Sequence, residues 1–141
     1  MRRRLAPDIH FSFMRAMADF ADEWGPRLKD AIAEEAPVRT GQLRDSIYNQ
    51  RHISAHSADI LIKSNVPQAR FVTEGTKPHD IYPVNARVLH WEDSFGDHFA
   101  MHVWHPGTKP NPFPRRGAAT IKHELARAIQ MAALGAVGVA A

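Results

Sequence analysis

The chain has 141 residues, 44% of them hydrophobic and 23% charged, the balance of a globular domain with a buried core rather than of a disordered segment. It contains no cysteine, which excludes disulfides, thiolate metal sites and cysteine nucleophiles. A formal charge of +3 is too small by itself to mark a nucleic-acid binder.

The opening "MRRRLAPDIHF" has a basic run, Arg2–Arg4, but no apolar stretch after it, so a secretion signal is not expected. From Asp8 to about Glu35, Phe13, Met17, Phe20, Trp24, Leu28 and Ile32 recur at steps of three or four, which predicts a long amphipathic helix. Pro26 removes a helix hydrogen bond and predicts a kink or break there, and Pro37 ends the segment. Thr40 is placed to cap a short helical turn that points Leu43 and Ile47 inward. "SIYNQRHIS" and "ADILIKSN" then read as a strand hairpin turning near His56–Asp59, with Ile60 and Ile62 alternating against Leu61 and Lys63. A short helical turn over 66–75 is expected to bring Phe71 and Val72 inward and to end at Gly75.

A proline-rich loop follows over 75–87, then a strand at 87–92, the connection "EDSFGD", and a second strand at 98–105. In that second strand Phe99, Met101 and Val103 alternate with His98, Ala100, His102 and Trp104. A second proline-rich loop spans 106–117, and "ATIKHELARAIQMAAL" closes the pattern as an amphipathic helix. The expected fold class is α+β. An antiparallel sheet of two hairpins, about four strands, is packed on one face by the long N-terminal helix and the C-terminal helix. Residues 1–134 are read as a single domain and 135–141 as a small-residue tail, too short and glycine-broken for a membrane span.

Charge is uneven along this order. Acids dominate from Asp19 to Glu35, and bases dominate from Lys109 to Arg127, a pattern compatible with head-to-tail packing of copies. Nine histidines raise a metal-dependent hydrolase as one alternative. On a strand, however, His98 and His102 would lie about 13 Å apart at roughly 3.3 Å per residue, too far to share an ion, so neither metal nor cofactor is expected. The serines lack a nucleophile-elbow context and no phosphate-cradling glycine loop is present, so no enzymatic reaction is indicated. A small basic DNA-binding module is the other alternative, resting on Arg2–Arg4 and on "PRR" at 114–116. Neither run has a helix-turn-helix or an aromatic platform beside it.

One repetition stands out: Gly-Thr-Lys-Pro occurs at 75–78 and again at 107–110, each copy followed by further prolines and an aromatic residue. Proline fixes φ, so each loop is expected to stand out as a stiff arm that loses little entropy on contact, with Tyr82 and Phe113 as the apolar anchors. Open sheet edges would offer a neighbour further pairing.

The ordered set Ala36, Pro37, Thr40, Gly41 and Leu43, then Glu74, Gly75, Thr76 and Pro78, then His105, Pro106, Gly107, Thr108, Pro112 and Phe113 resembles a family of tailed-phage proteins. These are the tail-completion or neck proteins of siphophages, named for the tenth gene product of an HK-type lambdoid phage and similar to tail terminators. The resemblance covers roughly residues 10–133, with Thr73 departing from the more usual apolar residue. It implies a virion structural protein, made in the host cytoplasm, that forms a hexameric ring at the head–tail junction. The implied partners are other copies, the tail tube protein and a neck or stopper protein, with genomic DNA passing through the lumen. The expected interface is Glu74, Gly75, Thr76, Lys77, Pro78 and Tyr82 on one arm. On the other it is His105, Pro106, Gly107, Thr108, Lys109, Pro110, Pro112 and Phe113.

Overall fold

The apolar stripe of the first segment forms one helix, α1 (Pro7–Glu35), in the computed structural model, which describes residues 7–138. The basic run Arg2–Arg4 lies outside the described residues. Trp24 and Ile32 of the stripe are buried together with Ala21 and Ala31, while Phe13 lies at the exposed end. The expected break at Pro26 does not occur, and the helix runs through it. A proline forfeits one N–H bond, to the carbonyl four residues back at Asp22. Here elements packed on more than one side of α1 hold it across that gap.

The chain divides into two compact units, one made of the chain up to Ala69 and from Pro112 onward, the other of Arg70–Asn111. In the first unit α1 is followed by the single turn α2 (Gln42–Asp45) and the antiparallel hairpin β1 (Ile47–Ile53) and β2 (Ala58–Ser64). The cap of α2 is Gly41, with the Thr40 hydroxyl accepting the Gln42 N–H at 3.4 Å. Ile47, Asn49 and Arg51 share the hairpin face that meets α1: Ile47 is buried, and Arg51 pairs with Asp22 of the helix. Across them on the same face stand Ile62 and Ile60, so the alternation with Leu61 and Lys63 falls as expected. The hairpin turns at Ser54–Ser57, where Ser54 Oγ accepts the N–H groups of His56 and Ser57.

The unit closes with α4 (Phe113–Thr120) and α5 (Lys122–Gly138). Two expectations change here. The second proline-rich loop ends at Pro112 rather than at 117, because Pro114 sits in the first turn of a helix, where a missing N–H costs nothing. The helical segment is also divided at Ile121, and both pieces pack chiefly on α1 rather than on a sheet. The last helix runs through Gly138, past the expected start of the tail.

The α1 C-terminus has no basic residue of its own in its last turn. Two arginines from elsewhere take that role. Arg44 of α2 donates Nε to the Ala33 carbonyl at 3.0 Å and Nη2 to the Glu34 carbonyl at 3.2 Å. Arg116 of α4 donates Nε to the Glu35 carboxylate at 3.0 Å. Both satisfy the negative end of the helix. Arg44→Ala should therefore cost about 1 kcal/mol, seen as a fall of roughly 2–4 °C in melting temperature by calorimetry.

The second unit begins within α3 (Gln68–Glu74), which carries the chain across the division. Phe71 of this helix is exposed rather than turned inward. The fold is α+β as expected, but not with a single four-stranded sheet. Among the described residues the strands form separate two-stranded antiparallel ladders. The expected strand over 98–105 bends at Met101 into β5 (Gly96–Ala100) and β6 (Val103–His105). β5 pairs with β4 (Leu89–Asp93), and β6 pairs with β3 (His79–Ile81). Period-two alternation identifies a strand but not its partner, and here the two halves have different partners.

Candidate functional site

The register of the second unit brings the two Gly-Thr-Lys-Pro copies together. Val72 accepts a hydrogen bond from the Asn111 N–H at 3.0 Å, Thr76 bridges to Thr108, and His79, Asp80 and Ile81 pair with His105, Trp104 and Val103. This makes one antiparallel stem, with the copies facing each other across it. At its centre the Thr76 N–H donates to the Thr108 carbonyl at 3.0 Å, and the Thr108 N–H donates back at 3.1 Å. The two threonine hydroxyls lie 3.2 Å apart.

The glycines complete the interlock. Gly75 and Gly107 take φ of 74° and 82°, the left-handed region that favours glycine. A Cβ on Gly75 would stand 2.5 Å from the Thr108 carbonyl oxygen and 2.8 Å from the Pro110 nitrogen. A Cβ on Gly107 would run into the Thr76 carbonyl oxygen and stand 2.9 Å from the Lys77 carbonyl carbon. Each copy thus presses its glycine against the threonine-to-proline stretch of the other. An antiparallel pair has local two-fold symmetry, and identical sequences on its two strands make identical contacts. That geometry accounts for the repetition.

The arms therefore do not stand free of one another, which corrects the expectation drawn from proline stiffness. What remains outward is the Lys77–Pro78 and Lys109–Pro110 ends, all exposed. His105 Nδ1 accepts the Gly107 N–H at 3.0 Å and steadies the second turn, while its ring lies 5.2 Å from that of His79. His79 Nδ1 in turn lies 2.8 Å from the Lys77 carbonyl oxygen. Glu74 is exposed and pairs with Arg70 at 3.0 Å, one turn back on α3. Pro106 is exposed, and Tyr82 is 63% exposed and stacks on His102. Pro112 and Phe113 belong to the first unit. There Pro112 caps α4 and Phe113 is only 3% exposed, so this phenylalanine is a core residue and not an anchor for a partner.

The histidine trio is not gathered. His98 on β5 pairs with Asp93 at 3.0 Å, His102 faces Asp80 from the bend, and His105 faces His79. Among the described residues no group of three potential ligands could hold a metal ion. Among them, too, no helix is long and apolar enough to cross a membrane.

The hairpin β4–β5 stands where the strand at 87–92 and the connection "EDSFGD" placed it, but sequence reasoning missed the ring pairs on its faces. Each of its faces carries a histidine stacked on an aromatic ring and paired with a carboxylate. His90 stacks on Phe99 at 4.7 Å and bonds Asp97, while on the other face Trp91 stacks on His98 at 5.4 Å and His98 bonds Asp93. Phe95 occupies the two-residue turn and is 92% exposed. The signal was there: aromatic residues fall on both faces, as a hairpin with no dry side would require. Compared with family models, curated proteins and solved structures, the chain matches none at a significant level.

Proposed function

We propose that this chain is a structural subunit that works by packing against further copies of itself and against neighbouring ring proteins at a tailed-phage head–tail junction. The observation that carries this reading is the surface of the second unit. Among the described residues none of Arg70–Asn111 is buried, while Phe71, Tyr82, Phe95, Phe99, Met101 and Trp104 are all more than half exposed. A unit of about forty residues cannot build a dry core alone, and without cysteine it has no disulfide to compensate. Covering these side chains by association, at roughly 25 cal/mol per Å² of apolar surface, gives the driving force that folding of the single chain leaves unused.

The ordered motif set supplies the setting. It points to a closed hexameric ring that meets the tail tube protein on one side and a neck or stopper protein on the other, with the genome threading the lumen. The Lys77–Pro78 and Lys109–Pro110 ends and Tyr82 are the parts of the paired loops left available to neighbours. The test is to purify the full chain with and without a siphophage tail tube protein, and to measure mass by light scattering and shape by electron microscopy. Rings, alone or on tube ends, are expected. A chain that stays monomeric and unbound at every concentration, with and without the tube protein, would end this reading.

A further inference from the structure

We infer that the tip of the β4–β5 hairpin of one copy docks into the groove between α1 and α5 of a second copy, in a head-to-tail contact. The inference rests on the assembly reading above and names its interface. The tip is an aromatic knob inside an acidic collar. Phe95 projects from a turn held by Asp93, whose Oδ1 accepts the Phe95 N–H at 2.8 Å and lies 3.0 Å from His98 Nε2. Glu92, Asp93 and Asp97 flank the ring in sequence, and all three are exposed.

The groove has the opposite character. It lies within the first unit and encloses about 390 Å³, with Trp24, Ala128 and Met131 as its apolar lining. Arg27, Arg127 and His123 also line it, with Glu124 as the acid among them. The Arg27 guanidinium lies over the Trp24 ring at 4.8 Å from its centre, leaving the cation beside an aromatic floor. A phenylalanine flanked by carboxylates fits such a place: the ring packs against Met131 and Ala128 while the acids meet the guanidinium groups. The volume is in the range that takes an aromatic side chain with part of its turn.

The occupant is a second copy because both halves stand open in a single chain: Phe95 is 92% exposed and Met131 is 65% exposed. Knob and groove are different surfaces, so the contact is heterologous. Each copy offers one of each, and repetition closes a ring or extends a filament.

The experiment follows sedimentation of the full chain over a concentration series, with Phe95→Ala as a knob variant and Arg127→Glu as a groove variant. Both positions are exposed, and circular dichroism is the check that each variant folds. Each alone should weaken association by roughly tenfold or more. Mixed together, they should form a dimer and nothing larger, since only one intact knob and one intact groove remain between them. Glu92→Arg combined with Arg127→Glu should restore association. If wild type and both variants assemble alike, this contact is wrong while the assembly reading stands. If only Arg127→Glu weakens association, the groove takes another occupant and the contact is likewise overturned. A wild-type chain that never associates, even with the tube protein, removes both.

Discussion

Gly107→Ala should cost about 3 kcal/mol within the second unit, and should free the Thr76 and Thr108 amides to exchange with solvent roughly a hundredfold faster. The cost has two sources. An alanine at φ of 82° loses about 1 kcal/mol through the clash of its Cβ with its own carbonyl. The same Cβ would also occupy space already held by the Thr76 carbonyl oxygen and the Lys77 backbone. Relieving that overlap means separating the copies and breaking the paired Thr76–Thr108 hydrogen bonds, a further roughly 2 kcal/mol. Gly96→Ala separates the two terms. Gly96 also has positive φ, 115°, but an added Cβ there meets nothing within 4 Å. Its variant should show the conformational cost without the packing cost, with the Thr76 and Thr108 amides still protected. Equal loss of protection in both variants would mean that the loops are not tightly interlocked. Hydrogen exchange followed amide by amide gives the answer, because a global melt would blend the two units.

The difference between what the sequence disclosed and what it withheld follows the distance over which each interaction acts. The stripe of α1 is local, with every partner position three or four residues away, and its limits could be read to within a residue or two. The hairpin β1–β2 is equally local and equally legible. The meeting of the two Gly-Thr-Lys-Pro copies joins residues 32 apart. Their repetition was visible, but nothing in either copy states that its partner is the other copy. Pro26 and Phe113 show the same limit from the opposite direction. Local rules said that Pro26 breaks a helix and that a proline-dense segment is a loop. Packing around α1 overrode the first, and the tolerance of a helix's first turn for proline overrode the second. Of the expected interface residues, the glycines and threonines are spent on holding the chain to itself. Tyr82 and the lysine–proline ends stay outward, and the acidic aromatic tip at Phe95 joins them.

Gly117 tests the other unit. It is buried on α4 where that helix crosses α1, and a Cβ there would stand 2.5 Å from both the Ala31 carbonyl oxygen and the Ile32 Cα. Those are backbone atoms inside a helix and cannot swing aside as a side-chain end could. The helices must move apart instead, which loosens Ile32 and Phe113, two of the few buried residues of the unit. Gly117→Ala should therefore destabilise the first unit by about 3 kcal/mol, a fall in melting temperature of roughly 10 °C. Gly135→Ala supplies the comparison, because it makes the same chemical change inside α5 with open space around the new methyl group. There the better helix propensity of alanine acts alone, and stability should rise by up to about 1 kcal/mol. Propensity favours alanine at both positions, so opposite signs can arise only from the close approach of two backbones at Gly117. If Gly117→Ala were neutral or stabilising in the same calorimetric scan, α1 and α4 would not cross at this glycine, and the core drawn around Trp24, Ile32 and Phe113 would have to be packed differently.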